Sequence, residues 1–247
     1  MSDAGRRTLV VNWMFPDLLW LNGDRGNLMA LERLGEQLGL DVVINRVDDL
    51  TTPAPADLSV FCSGDLDVLR TLAADGEALR AFLAATKRVV VFGTSVSLFT
   101  RTTTRVDHPG FAGLGMLPAD AVERPTDGHV YGDDYLIEHA PGTPHPLAAG
   151  VYVKTVAVTP DAGVEPFAKV LFGLDNTATL QNSGFDGARH GALVWTNLLG
   201  PAFVRNPWLA RGLVEEVLGP LPGDLDEQWT LEQASFDAAQ AFITAKR

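Results

Sequence analysis

A chain of 247 residues is long enough for one large α/β domain with a substantial core, and two full domains would be crowded. Its 46% hydrophobic and 20% charged residues are ordinary for a soluble globular protein, and no apolar run is long enough to span a bilayer. A formal net charge of −12 argues against a nucleic-acid surface, which needs clustered Lys and Arg, and the single cysteine, Cys62, excludes an intramolecular disulfide or a multi-cysteine metal site and fits a reducing cytoplasm.

The opening MSDAGRRTLVVNWMF imitates a signal peptide. Asn12 interrupts its apolar stretch, however, and Pro16 and Asp17 follow with no small-residue cleavage site. Thr8 to Met14 therefore reads as a first buried strand. A loop leads to a helix from about Asn27 to Leu38, with Leu28, Leu31, Leu34 and Leu38 on one face and Gly39 as its cap. Asp41 to Val47 is a second strand. After a loop containing Pro53 and Pro55, ADLSVFCSG places a third strand running into Ser63 and Gly64. One helix is expected over Leu66 to Ala85, burying Leu69, Leu72, Leu79 and Leu83. Lys87 to Ser95 is a fourth strand, uniformly apolar at its centre, as for a strand covered on both faces.

This alternation predicts a three-layer α/β sandwich around a mostly parallel sheet. Ligands bind at the carboxyl ends of such strands, which singles out the loops LNGDRGN, CSGDLD and GTSVS. From Thr102 to Val164 the chain turns rich in Gly, Pro, Thr and His and reads as an antiparallel excursion within one domain over residues 1–247. Ala168 to Phe172 and Gly191 to Trp195 supply two more strands, and Asn206 to Leu218 a helix with Pro207 early. The helical extension 226–247 is expected to bury Leu231, Ala234, Ala238 and Phe242.

Three stretches carry a family likeness: FPDLLWLNGDRGNLMALERLGEQLGLDV, GFAGLGMLPADAVE, and AKVLFGLDN followed by TNLLGPAFVRNPWLARGLV. Together they resemble the glutamine amidotransferase subunit of lipid II isoglutaminyl synthase (the GatD type), and cobyric acid synthase carries a related domain. The resemblance implies the flavodoxin-like class I amidotransferase fold. It also implies a Mur-ligase-like, ATP-using synthetase as partner; no cofactor is expected, and the cysteine and histidine spacing suggests no metal. In such a family a cysteine stands on a sharp turn after a strand, and a histidine before Gly-Pro activates it.

Here the strand ends VVVFGTSVSLF: the elbow pattern puts Ser95 at the cysteine position, whereas strand length puts Gly93 there. The residue before Gly200-Pro201 is Leu199. Nucleophile and base are thus both missing. Gly93-Thr94-Ser95-Val96-Ser97 nearly reproduces the hydrolase elbow G-x-S-x-G, but with no base in view Ser95 reads as a hydroxyl capping a helix N-terminus. Cys62 reads as a small apolar filler in a loop that resembles the family's oxyanion-hole loop. Ser63, Gly64 and Asp65 are the candidate substrate-binding residues, with backbone N–H groups near Ser63 and Gly64 as oxyanion donors.

In GDRGN, Gly23 and Gly26 permit a tight turn and Asn27 can cap the next helix. The alternative for Asp24, Arg25 and Asn27 is an anion or partner loop. His190 lies about nine residues upstream of the family's base, and His108, His129, His139 and His145 lack metal-ligand spacing, which makes them surface or hydrogen-bonded residues. The function expected is a cytoplasmic, catalytically degenerate amidotransferase-like subunit that supports a synthetase, without nucleic-acid or membrane partners. An amidase or transferase reusing the old pocket is the alternative, and an active glutaminase comes third.

Overall fold

The computed structural model describes residues 6–51, 55–223 and 225–246, so Pro53 and the first five residues lie outside it. Its elements are β1 (Thr8–Met14), α1 (Gly26–Leu38), β2 (Asp41–Val47), β3 (Ala56–Phe61), α2 (Leu66–Ala73), α3 (Gly76–Leu83) and β4 (Thr86–Phe92). Then come β5 (Thr102–Thr104), β6 (Phe111–Ala112), β7 (Ala119–Glu123), β8 (Val130–Glu138), β9 (Leu147–Lys154) and β10 (Val156–Pro160). The chain continues with β11 (Ala168–Phe172), β12 (Phe185–Asp186), β13 (Ala188–His190), β14 (Leu193–Thr196), α4 (Ala202–Arg205), α5 (Pro207–Leu218) and α6 (Thr230–Ala245).

The main sheet has the order β13-β14-β4-β3-β1-β2, parallel throughout except for β13 at one edge. Every residue of β3 is buried, as a central strand requires. Helices α1, α4 and α5 pack together, and α3 packs on β4. Gly39 ends α1 in the left-handed conformation at φ 67°, and Pro207 opens α5. The middle of the chain forms two further four-stranded sheets, β10-β7-β5-β6 and β12-β11-β8-β9. No described helix is long and apolar enough to cross a membrane.

Four sequence expectations change. The helix over Leu66 to Ala85 is two helices, because Ala74 and Asp75 close short turns onto Thr71 and Leu72 before Leu79 starts again from Asp75. The fourth strand stops at Phe92, and Gly93–Leu98 coil into a 3-10 helix. The strand Ala168–Phe172 joins β8 and β12, outside the parallel sheet. Finally, α6 buries the opposite face. Phe236 and Ile243 point inward, whereas Leu231 and Phe242 are 81% and 57% exposed. Both sets have helical spacing, and the aromatic contacts decide between them. Phe236 meets Trp208 edge-on at 5.4 Å, and Trp229, just before the helix, lies 6.4 Å from the same ring.

Candidate functional site

Three chain segments meet at the carboxyl ends of β3, β4 and β14. Leaving β4, Gly93 adopts φ +53°, a left-handed conformation that suits glycine. An ideal Cβ built there would stand 2.6 Å from Ser63 Oγ and 3.1 Å from Leu199 Cδ2. The direction a side chain would take at position 93 is therefore aimed at Ser63 and Leu199. The Gly93 carbonyl is fixed by the Trp195 indole N–H, which donates to it at 3.1 Å.

Beyond Gly93, two neighbouring hydroxyls tie the 3-10 helix to the loop after β3. Thr94 Oγ1 donates to the Gly64 carbonyl and Ser95 Oγ to the Cys62 carbonyl, each at 2.6 Å. Ser95 is fully buried and does not cap the helix, as its sequence position suggested. Cys62 is equally buried, and burial together with the nearby Asp24 carboxylate raises its thiol pKa, keeping it protonated.

The first loop closes the site from the other side. Ser63 N–H donates to Asp24 Oδ2 at 2.9 Å, and Leu21 N–H donates to the Ser63 carbonyl at 3.1 Å. The Ser63 amide, expected as an oxyanion donor, is thus already taken by a carboxylate. Burial pushes Asp24 up to about 6, against the opposing effect of hydrogen bonds from Ser63 and the Gly200 amide. Asn27 does not cap α1. Its Oδ1 accepts the Phe203 N–H at 2.9 Å and so serves the start of α4. Gly26 lies so close to Pro201 that a Cβ would come within 2.7 Å of the proline Cβ. Arg25 is exposed, with its guanidinium 5.2 Å above the Trp13 ring. Asp65 caps α2 by accepting the Asp67 N–H at 2.8 Å.

The structure therefore brings Asp24, Ser63, Gly64, Gly93, Ser95 and Leu199 together, while Asp65, Arg25 and Asn27 serve the surrounding frame. The site is closed. Gly93, Ser63, Ser95 and Leu199 are all buried. Among the described residues no group of three or more His, Cys, Asp or Glu is placed to hold a metal.

Sequence reasoning missed a buried polar cluster beside β14. Lys154 is fully buried and its Nζ has no hydrogen-bond partner; it stands 5.7 Å from the Tyr135 ring. Tyr135 Oη donates to Asp186 Oδ1 at 2.8 Å, and Asp186 also accepts from Thr196 Oγ1 at 2.5 Å and Asn197 Nδ2 at 3.0 Å. Burial brings Lys154 down to about 8, opposed by the negative charges of Asp186 and Asp175. The available signal was alternation: Ala148, Gly150, Tyr152 and Lys154 share the buried parity of β9. His139, expected at the surface or hydrogen-bonded, keeps a buried Nε2 with no hydrogen-bond partner.

No protein-family model matches this sequence, and no curated protein matches it. Solved structures do. A glutamine amidotransferase aligns with a TM-score of 0.54 at 16% identity, over 83% of this chain and 97% of its own. A protein described as ThuA-like from Bacteroides uniformis aligns with a TM-score of 0.51 at 11% identity, over 90% of this chain and 97% of its own. A glutamine amidotransferase from Thermotoga maritima gives a TM-score of 0.47 at 10% identity, over 96% and 92%. The chain has a glutamine amidotransferase-like α/β fold.

Proposed function

We propose that the chain is a non-hydrolysing member of the amidotransferase group, a cytoplasmic subunit that docks on a Mur-ligase-like, ATP-dependent synthetase. One observation carries this reading: the turn after β4 presents Gly93 toward Leu199 and Ser63, both of them buried. Gly93 stands where the family would place its cysteine, and Leu199 where it would place its histidine. A glycine supplies no nucleophile and a leucine no base. Ser95 offers no replacement, because its hydroxyl is buried and committed to the Cys62 carbonyl.

Support for docking comes from the outer surface. Met29 and Val204, 68% and 46% exposed, border one groove between α1 and α4, next to the packed Gly26–Pro201 pair. The decisive experiment has two parts. The purified chain is assayed for ammonia release from glutamine, and it is mixed with a Mur-ligase-like synthetase in size-exclusion chromatography. No ammonia together with co-elution is the expected result. Ammonia release would overturn the non-hydrolysing reading, and separate elution the docking reading.

A further inference from the structure

Helix α6 carries two apolar faces. The inner one seats Phe236 and Ile243 in the fold. On the outer one stand Leu231, Ala234, Ala238, Ala241, Phe242 and Ala245, every one of them exposed. Leu231 is 81% and Phe242 57% exposed, large side chains left in water near opposite ends of the helix. Steps of three, four, three and four residues lead from Leu231 to Ala245, the spacing by which paired helices bury a shared seam. A single surface leucine is ordinary, whereas an unbroken apolar seam about 21 Å long is an association surface.

Both ends of the helix are pinned. Just before it, Trp229 Nε1 donates to Gln37 Oε1 at 3.3 Å. At its far end Lys246 pairs with Asp134, and its ammonium stands 4.1 Å from the Phe242 ring. The seam is therefore held ready for a partner, with little ordering left to do on binding.

Size and charge select the occupant. Alanines let a second helix approach to about 8 Å. A second α6 running the opposite way sets Leu231 of one copy against Ala241 and Ala245 of the other, and Ala234 against Ala238, so that each large side chain meets small ones. Charge is distributed in the same sense. Glu227 and Glu232 lie at the start of the helix, no acidic residue follows Asp237, and Lys246 closes it. Antiparallel copies place acidic starts beside acid-free, basic ends and oppose the two helix dipoles. Parallel copies would set acid against acid.

We propose that two copies of the chain associate through an antiparallel α6–α6 pair, with the two-fold axis passing close to Ala238. The same patch then serves both partners, as a two-fold interface requires. None of the seam residues lines the groove beside Met29 and Val204, so this contact is separate from the surface offered to a synthetase.

Sedimentation velocity of the full chain, with no synthetase present, tests the pairing between about 1 and 500 µM. One helix pair is a small interface, and the expected dimer has a Kd between about 1 and 100 µM. Ala238→Glu keeps a good helix former at an exposed position but brings two carboxylates together at the axis. It should weaken the dimer at least tenfold while leaving the thermal midpoint of the dilute chain unchanged, and Leu231→Ser should weaken it comparably. Asp237→Asn should tighten it, because Asp237 alone among the acids meets its own copy beside the axis. A short bismaleimide should link two copies of Ala238→Cys but not of Ala245→Cys, whose thiols lie more than about 20 Å apart in the antiparallel pair. Cys62 is buried and takes no part. A chain monomeric at every concentration, or a dimer indifferent to both Ala238→Glu and Leu231→Ser, would overturn the interface. Linkage of Ala245→Cys, or an Asp237→Asn dimer no tighter than the parent, would overturn its antiparallel sense.

Discussion

The main-chain N–H of Ser63 donates to the buried carboxylate of Asp24, 39 residues earlier, at 2.9 Å. This bond binds the loop after β1 to the loop after β3, yet Asp24 Oδ1 is left without a hydrogen bond. Its pKa is raised from 3.8 to about 6, so the folded state binds more protons than the unfolded state between those values. Stability from this group is complete below about pH 4 and is lost as pH rises through 6. His139 does the opposite. Burial, with Arg189 and His145 nearby, lowers it from 6.5 to about 4, so its contribution grows as pH rises across the same window. Urea titrations from pH 4 to 7 should therefore be nearly flat for the parent, rise with pH for Asp24→Asn, and fall with pH for His139→Gln. At pH 7, Asp24→Asn should gain roughly 1–2 kcal/mol, since the amide oxygen still accepts from Ser63 without a buried charge.

Lys154 sets an alkaline signature. Its pKa falls from 10.5 to about 8, so the unfolded chain binds more protons between pH 8 and 10 and stability rises across that range. Above pH 10 the trend reverses, because Tyr135 and Tyr152 are both raised and stay protonated longer in the folded state. Lys154→Met should flatten the rise, which is on the order of 3 kcal/mol for the parent. Thermal melts at half-unit pH intervals from 7.5 to 10 would read it directly.

Gly93→Ala should destabilise the chain by roughly 2–4 kcal/mol, combining left-handed backbone strain with a contact 2.6 Å from Ser63 Oγ. In a Ser63→Ala background that hydroxyl is gone and the cost should drop to roughly 1–2 kcal/mol, the backbone strain together with the remaining 3.1 Å contact to Leu199. Chemical denaturation of the four-member cycle checks both figures. An equal cost in the two backgrounds would mean that Ser63 does not face position 93.

Gly26→Ala opposes two effects. At the first position of α1 alanine gains less than the roughly 1 kcal/mol it gains in a helix interior, and its Cβ would enter within 2.7 Å of the Pro201 ring, which cannot turn away. A net loss of about 1–3 kcal/mol is expected. The same exchange at Gly212, where a Cβ meets open space, should instead gain up to about 1 kcal/mol.

Much of the sheet was readable before any coordinates. Thr8–Met14 and Asp41–Val47 are strands over the residues expected, because Leu9, Val11, Val42 and their neighbours leave no competing helical pattern. The α6 face was misread because two apolar stripes share that helix, and only a partner, Trp208, distinguishes them. At the elbow, periodicity left Gly93 and Ser95 both open, since neither φ nor the end of a strand is written in the apolar pattern. The Asp24–Ser63 bond was invisible for another reason: it joins residues far apart in the chain whose types are common in loops. Lys154 was legible in principle, as a charge on the inward parity of β9, but alternation alone does not say that its neighbours are a tyrosine and an aspartate.

The neighbours around Gly93 also bear on the direction in which this sequence can change. Ser63 and Leu199 each occupy space that any side chain at position 93 would need, so no single codon change there is neutral. Positions 63, 93 and 199 have to move as a set, and the intermediate steps carry the destabilisation. Such mutual filling works as a ratchet: once glycine is in place, drift at the surrounding residues makes its replacement steadily harder to reach.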